Sequence, residues 1–244
     1  MLFNFLFRRK SAELPFQTDI HCHIIPGVDD GSPDVETSAL LLERMYEMGY
    51  RRIFASPHVT QDTFENTPET LAEPTERLRA EIARRGLGIK LGRHAEYRLD
   101  DFFLRQREAG KLTTLPGNYI LVENSFSQEP YDMDRVIFDL KMEGLNPILA
   151  HPERYLYYAK GNPGRYRDLF DSGLMFQINL LSLAGRYGRT IRAVAVDLLE
   201  KGMVDFIGTD IHRESHVKLI EEYLNSRNFR HDLKLMTNLK NDEI

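Results

Sequence analysis

The sequence contains a single cysteine, Cys22, among 244 residues. One thiol excludes an intramolecular disulfide and any zinc site built from several cysteines, and it fits a reducing compartment, so we expect a cytoplasmic protein. Long apolar runs are also missing, because no stretch approaches the roughly 18 residues that a membrane-spanning helix needs. Basic residues are not in excess, since 32 Lys and Arg stand against 37 Asp and Glu for a net charge of −5. With no basic stripe beyond residues 8–10, nucleic acid is not an expected partner.

The composition is that of a folded chain, because 42% of the residues are hydrophobic and 28% are charged. A chain of this length can bury a large core without a structural metal. We expect one domain over residues 17–244, with residues 1–16 as an N-terminal appendage. The appendage begins with the mostly apolar residues 1–7, and three basic residues follow them at 8–10. This order is the reverse of that in a signal peptide.

Beyond the appendage, short apolar or β-branched runs alternate with segments of helical period. Gly49 ends a helix predicted from Pro33, and Gly86 ends another predicted from Pro68. The predicted strands centre on residues 18–21, 52–56, 90–96, 119–123, 147–151, 175–179 and 205–210. This repeated βα pattern predicts an α/β fold, either an open doubly wound sheet or a closed barrel, and both place ligands at the carboxyl ends of the strands. A G-x-G-x-x-G motif after the first strand is absent, which weakens the dinucleotide-binding version.

Two strands end in metal-ligand pairs. His21 and His23 close the first strand and Asp210 and His212 close the seventh, each pair at i, i+2 spacing. Alternate residues of a strand face the same side, so both members of a pair can point at one spot. A single pair of this kind is weak evidence, and it gains weight only from partners elsewhere in the chain.

Six of the seven predicted strands end in His, Asp or Glu, or carry them just beyond the end. The resulting candidate ligands are His21, His23, Asp30, His58, Glu96, Glu123, His151, Asp210 and His212. One ion uses three or four protein ligands, so nine candidates predict two or three ions. Mixed imidazole and carboxylate ligands suit Zn, Mn or Fe. Neighbouring ions polarise phosphate oxygens and supply a nucleophile at neutral pH, so phosphoester hydrolysis is the expected chemistry.

Two neighbouring residues leave alternatives open. Asp29 and Asp30 are adjacent, and either carboxylate could reach a metal.

Cys22 could rival metal chemistry as a nucleophile, because many tyrosine phosphatases use a cysteine followed six positions later by an arginine. That position holds Val28, and on a strand Cys22 would face away from the histidines. We therefore expect Cys22 to be a small buried side chain.

The candidate ligands lie in short motifs that follow one another in a definite order. These are Asp19-Ile-His-Cys-His-Ile-Ile-Pro-Gly-Val-Asp-Asp-Gly31, Ser56-Pro-His58, Ala95-Glu96, Ala150-His-Pro-Glu-Arg154, Gln177-Ile-Asn-Leu-Leu-Ser-Leu183, Gly185-Arg-Tyr-Gly188 and Thr209-Asp-Ile-His212. Together they resemble the polymerase-and-histidinol-phosphatase (PHP) superfamily, and within it the capsular-polysaccharide tyrosine phosphatases. The similarity covers roughly Thr18 to His212.

The resemblance implies a PHP fold, a TIM-like, distorted (βα)7 barrel with three metal ions, often Mn²⁺. By motif position, the first ion would take His21, His23, Glu96 and Asp210, the second Glu96 as a bridge with Glu123 and His151, and the third Asp30, His58 and His212. Arg154 matches the arginine of the family's H-x-E-R motif and would grip phosphate oxygens. Its alternative role is a salt bridge to Glu153 at the start of a helix. Glu96 and Arg154 are therefore the expected catalytic residues.

The expected function is hydrolysis of phosphotyrosine in a protein, with a membrane-associated bacterial tyrosine kinase of capsular or extracellular polysaccharide synthesis as the expected partner. Alternatives are a small-molecule phosphatase, such as one for histidinol phosphate, a nuclease, and a non-catalytic adaptor for a phosphotyrosine tail. Residues 1–10 could touch the inner face of an anionic membrane or the kinase. Packing across the barrel bottom or into an oligomer contact is the other possibility for this segment.

Overall fold

The computed structural model describes residues 13–244. The expectations for residues 1–10 therefore fall outside the described residues, and the domain boundary near residue 16 stays a prediction. The described strands are β1 (Thr18–Asp19), β2 (Arg52–Ala55), β3 (His58–Val59), β4 (Lys90–Arg93), β5 (Glu96–Arg98), β6 (Tyr119–Glu123), β7 (Asn146–Ala150), β8 (Met175–Asn179) and β9 (Phe206–Gly208). They form two parallel sheets, β1-β2-β4 and β3-β5-β6-β7-β8-β9.

Helices alternate with the strands. They are α1 (Val35–Glu47), α2 (Ala72–Arg85), α3 (Asp101–Glu108), α4 (Met133–Met142), α5 (Leu156–Gly161), α6 (Arg165–Asp171), α7 (Leu180–Leu183), α8 (Arg189–Glu200), α9 (Glu214–Leu224) and α10 (Arg227–Asp232), with 3-10 turns at Pro152–Arg154 and Asn241–Glu243. Within residues 13–244, no helix combines the length and apolar character needed to cross a membrane.

The ends of the first two helices can be compared with the ends predicted from the sequence. Asp34 caps α1, since its side chain accepts a 2.7 Å hydrogen bond from the backbone N–H of Thr37. Gly86 ends α2 with a φ of +66°, a conformation that glycine adopts without strain. The predicted start of α2 at Pro68 was wrong, because the helix begins at Ala72 and a turn precedes it.

The seven predicted strands are observed as nine, because two of them are interrupted. Ser56 and Pro57 separate β2 from β3, and His94 and Ala95 separate β4 from β5. Pro57 has no N–H and cannot donate to the ladder with the neighbouring strand. The interruptions split the barrel wall into two sheets.

The two edges of the barrel meet beside the predicted metal ligands. Cys22 forms a parallel bridge with Ile211. The backbone N–H of His23 donates to Ile211 (2.9 Å), and that of Asp210 donates to His21 (2.8 Å). The seven βα units therefore surround a distorted barrel, which confirms the predicted α/β fold class.

The strands face two different cores. Leu121 belongs to a small cluster inside the sheet, with Ile20, Ile148 and Phe206. Val122, the next residue, belongs to the large cluster that the sheet shares with the helices. Because side chains alternate along a strand, Glu123 shares the interior face with Leu121, one step closer to the carboxyl end. The apolar interior thus gives way to ligand side chains at the carboxyl ends of the strands.

Candidate metal centre

All nine predicted ligands meet at the carboxyl ends of the strands. Three groups of them have ligand atoms within 4.8 Å of one another: His23, Asp30, His58 and His212; His21, His23 and Glu96; and His58, Glu96 and Glu123. His151 joins through its Nε2 atom, which lies 2.9 Å from Glu96 Oε1, and Asp210 through its Oδ1 atom, 3.6 Å from His23 Nε2. Most of these side chains are buried, whereas Asp30 is 54% exposed at the entrance.

Glu96 lies at the centre of the cluster. Its Oε1 atom is 3.4 Å from His21 Nε2 and 2.9 Å from His151 Nε2, and its Oε2 atom is 3.4 Å from His23 Nε2 and 3.0 Å from His58 Nδ1. Burial alone would raise the pKa of Glu96, but His21 and His58 outweigh it and hold that pKa well below its usual range. Each oxygen of an ionised Glu96 therefore faces two imidazoles, an arrangement that suits a bridging ligand.

The rings of His21 and His23 are oriented by contacts to their Nδ1 atoms, on the side away from the cluster. Nδ1 of His21 donates to Gln177 Oε1 at 2.6 Å, and Nδ1 of His23 lies 2.8 Å from Asp29 Oδ2. These contacts turn the Nε2 atoms of both rings toward the cluster. Burial and the neighbouring His58 lower the pKa of His23, but Asp29 and Glu96 outweigh them and raise it to about 9. Gln177 lies in a motif noted in the sequence, but no local pattern indicates this role, because the contact joins residues 156 positions apart.

Asp29 and Asp30 lie on different sides of the histidine cluster. Asp29 lies behind His23, and its Oδ1 atom accepts a 3.0 Å hydrogen bond from the backbone N–H of Gly31. Asp30 faces the cluster, with Oδ1 3.4 Å from His212 Nε2 and 3.6 Å from His58 Nε2. Gly31 permits this turn, because a Cβ there would lie 2.2 Å from the carbonyl oxygen of His23.

The two oxygens of Asp210 have different partners. Oδ1 faces His21 and His23 at 3.7 and 3.6 Å. Oδ2 accepts from Asn179 Nδ2 at 2.5 Å, and also from Arg154 Nη1 at 3.2 Å and Tyr187 Oη at 3.3 Å. One oxygen therefore remains directed at the cluster while the other is held by the surrounding residues. Asn179 and Tyr187 lie within motifs noted in the sequence, but their contacts depend on the fold.

The backbone beneath the centre is strained and tightly packed. His151 and Asp210 have φ angles of +37° and +55°. Residues other than glycine rarely adopt this backbone conformation, which costs roughly 1–3 kcal/mol per residue. A Cβ at Gly208 would lie 2.6 Å from the Cβ of His21 and 2.8 Å from Gln177 Nε2. A residue larger than glycine would have to displace His21 or Gln177 there, so Gly208 lets both side chains pack directly against the backbone.

Arg154 adjoins the ligands within the same cavity. Its guanidinium lies between two rings, with Cζ 4.6 Å from the ring centre of Phe126 and 4.2 Å from that of Tyr187. The alternative ion pair with Glu153 is not formed. Glu153 instead accepts hydrogen bonds from the backbone N–H of Asn179 (2.9 Å) and from Ser182 Oγ (2.6 Å). Arg154 is thus held beside the cluster by Asp210 and the two aromatic faces.

These residues fit divalent metal ions. Two buried ligand atoms, Glu96 Oε2 and His58 Nδ1, make no hydrogen bond of acceptable geometry to any described residue. Buried polar atoms without partners are rare unless water or an ion satisfies them. The donors are imidazole nitrogens and carboxylate oxygens without a thiolate, which suits Mn, Fe or Zn.

Cys22 lies apart from this chemistry. Its side chain is fully buried in the large core cluster, and burial raises the pKa of the thiol well above its ordinary value. A thiolate, the nucleophilic form, is therefore disfavoured. This confirms the expectation that Cys22 is a buried packing residue.

Comparison with known proteins defines the family. The family model described as "Capsular polysaccharide synthesis, CpsB/CapC" matches residues 17–225. The chain belongs to this CpsB/CapC family. It is 30% identical over 195 residues to the tyrosine-protein phosphatase YwqE of Bacillus subtilis, covering 80% of this chain and 76% of YwqE. It is 32% identical over 203 residues to the tyrosine-protein phosphatase CpsB of Streptococcus pneumoniae, covering 80% of this chain and 82% of CpsB.

The fold agrees with the family assignment. A solved structure from a study of YwqE of Bacillus subtilis and CpsB of Streptococcus pneumoniae superposes with a TM-score of 0.77 and 27% identity, covering 91% of this chain and 95% of that one. Those two proteins are described there as metal-dependent tyrosine phosphatases. The resemblance drawn from the sequence motifs is confirmed at the level of family and fold.

Proposed function

We propose that this protein is a metal-dependent protein-tyrosine phosphatase. The observation that carries the proposal is a single cavity of about 250 Å³ that is lined both by predicted metal ligands and by Arg154. Hydrolysis of a phosphate monoester requires positive charge beside the phosphate and an activated nucleophile. This cavity combines side chains that can bind divalent ions with the guanidinium of Arg154. The family and the activity named for its relatives YwqE and CpsB support the same reaction.

The proposed ligand sets follow the family motifs. His21, His23, Glu96 and Asp210 would hold one ion; Glu96, Glu123 and His151 a second; and Asp30, His58 and His212 a third. Mn²⁺ is the proposed metal, with two or three ions per chain. Bound divalent ions stabilise charge on phosphoryl oxygens and lower the pKa of a water nucleophile to near neutrality. The central place of Glu96, with two imidazoles at each oxygen, supports its role as a bridge.

The remaining steps fall to the chain's own side chains. Arg154 would hold two phosphoryl oxygens with its planar fork, a geometry that its contact with Asp210 and the two rings favours in advance. Arg186 also lines the cavity and adds positive charge for a dianionic substrate, whereas the Arg98 side chain is paired with Glu123 at 3.1 Å. A tyrosine leaving group has a pKa of about 10, so proton donation by the protein matters less than for an alkyl ester.

The proposed physiological substrate is the phosphorylated tail of a membrane-associated bacterial tyrosine kinase in capsular or extracellular polysaccharide synthesis. The family description, capsular polysaccharide synthesis, supports this context. We further propose a cytoplasmic protein that contacts the inner membrane face through residues 1–10. The apolar and basic composition of that segment supports weak, reversible membrane attachment.

Phosphate release tests the proposal directly. The full chain is stripped of metal and assayed with and without Mn²⁺ on a phosphotyrosine peptide, histidinol phosphate and single-stranded DNA. We expect metal-dependent turnover of the peptide and little turnover of the other two. Preference for histidinol phosphate would make the protein a small-molecule phosphatase, and preference for DNA would make it a nuclease. Tight peptide binding without phosphate release would make it an adaptor, and full turnover after verified metal removal would refute the mechanism.

A further inference from the structure

An exposed aromatic side chain lies at the edge of the candidate active site. Phe126 follows β6 by three residues, lines the cavity and is 45% exposed. The other large hydrophobic side chains that are exposed among residues 13–244 do not line this cavity: Leu40, Tyr46, Leu104, Tyr131, Phe138 and Met142. The cavity is otherwise bounded largely by charged and imidazole groups. Exposure of a phenyl ring to water is unfavourable, and an apolar group of a ligand would cover this ring.

The segment that carries Phe126 is anchored by tyrosines. The backbone N–H of Asn124 donates to Tyr155 Oη at 2.9 Å, and Asn124 Nδ2 donates to Tyr158 Oη at 3.0 Å. Tyr157 Oη donates to the carbonyl oxygen of Ser125 at 3.2 Å. Phe126 is therefore presented from a held backbone, which is what a binding contact requires.

The phenyl ring of Phe126 packs against two residues of the proposed phosphate site, His151 and Arg154. It is nearly parallel to the imidazole of His151, with ring centres 5.6 Å apart and planes 18° apart. The Cζ atom of Arg154 lies 4.6 Å from the same ring centre. A phosphate held by Arg154 would therefore lie within reach of the Phe126 ring, and an ester substituent directed toward the exposed part of that ring would contact it.

We propose that Phe126 is a specificity-determining residue that contacts the aromatic ring of the substrate, so that the site selects phosphate monoesters of phenols over those of alkyl alcohols. This inference rests on the proposed function and extends it to the group beside the phosphate. Aromatic rings attract one another at centre distances of about 4.5–7 Å in offset or edge-to-face arrangements. The exposed part of Phe126 offers such a surface, while Tyr187 holds the far side of Arg154.

Binding of phosphonates tests this contact without relying on hydrolysis. Phenylphosphonate and methylphosphonate are titrated calorimetrically into the Mn²⁺-loaded full chain. We expect the wild type to prefer phenylphosphonate by about tenfold, an effect of the size expected for one aromatic contact. Phe126→Ala should reduce the preference to about twofold or less, while Phe126→Tyr should retain it. Phe138→Ala is the matched control, since Phe138 is 62% exposed on α4 and away from the cavity.

The outcomes separate this inference from the proposed function. An unchanged preference in Phe126→Ala, an equal loss of affinity for both phosphonates, or no preference in the wild type would each overturn the ring contact. The second of these would instead assign Phe126 to the support of Arg154. If the wild type prefers phenylphosphonate through Phe126 but hydrolyses no phosphotyrosine peptide, the ring contact stands and the proposed function fails.

Discussion

Gln177 Oε1 accepts a 2.6 Å hydrogen bond from His21 Nδ1. The orientation of the Gln177 amide follows from its other end, where Nε2 donates to Ile178 O at 2.7 Å and to Asn179 Oδ1 at 2.8 Å. Asn179 in turn donates to Asp210. Two buried amides on β8 thus connect predicted ligands that lie almost at opposite ends of the domain sequence.

Replacement of Gln177 by methionine should weaken metal binding with little change in volume. The loss of the acceptor frees the His21 ring, and outer partners of metal-bound histidines typically contribute about 10–100-fold in affinity. Chelator competition with Mn²⁺ measures this effect directly. Gln17→Met is the matched control, because Gln17 is exposed and precedes β1 at the opposite end of the strands. Wild-type metal affinity in folded Gln177→Met would contradict the positioning role.

Glu96→Gln should lose at least one ion together with most of the activity. The amide keeps the shape of the side chain but cannot serve as an anionic bridge between the imidazoles that surround it. Elemental analysis of the purified variant gives the stoichiometry. Glu76→Gln, at a side chain that is 68% exposed on α2, should keep the full metal content. An unchanged number of ions in Glu96→Gln would show that Glu96 is not a bridge.

Arg154→Ala should retain the metals and lose catalytic efficiency. The cost of removing one electrostatic donor to a transition state is about 2–4 kcal/mol, so kcat/KM should fall by roughly 30- to 900-fold. Steady-state kinetics on a phosphotyrosine peptide, with metal analysis of the same sample, checks both parts. Arg77→Ala, at an arginine side chain that is 56% exposed, serves as the control. Near-normal kcat/KM in Arg154→Ala would make the arginine structural.

Cys22→Ala should keep most of the activity. The thiol is fully buried and its pKa is raised by that burial, so the expected cost is a small loss of packing. Thermal unfolding and phosphatase assays of the same preparation separate stability from catalysis. A thousandfold loss of turnover with the fold and the metal content intact would revive a thiol mechanism.

Deletion of residues 1–10 should leave hydrolysis of a free phosphotyrosine peptide unchanged and weaken binding to anionic vesicles. Seven mostly apolar residues and three basic ones supply only weak membrane affinity, so attachment would also need the kinase. Vesicle sedimentation and peptide kinetics measure the two effects. A markedly lower unfolding temperature, or a changed oligomeric state with vesicle binding intact, would assign the segment to the structure.

The sequence by itself determined the repeat of βα units and the identity of the ligand candidates. The i, i+2 spacing singled out His21 with His23 and Asp210 with His212, although β1 ends at Asp19 and β9 at Gly208, so both pairs lie just beyond the strands on which they were predicted. Local rules also predicted the start of α1 near Asp34 and the end of α2 at Gly86. These features depend on interactions between residues a few positions apart, which a sequence displays directly.

Only the tertiary structure decided how those residues are oriented. Asp29 and Asp30 are chemically identical neighbours, yet in the folded chain one lies behind His23 and the other faces His212, with a turn at Gly31 that leaves no room for a Cβ. The contacts of Gln177 with His21 and of Phe126 with Arg154 join residues that are distant in sequence. No local pattern encodes such a contact, because it depends on how separate strands and loops pack around the same end of the barrel.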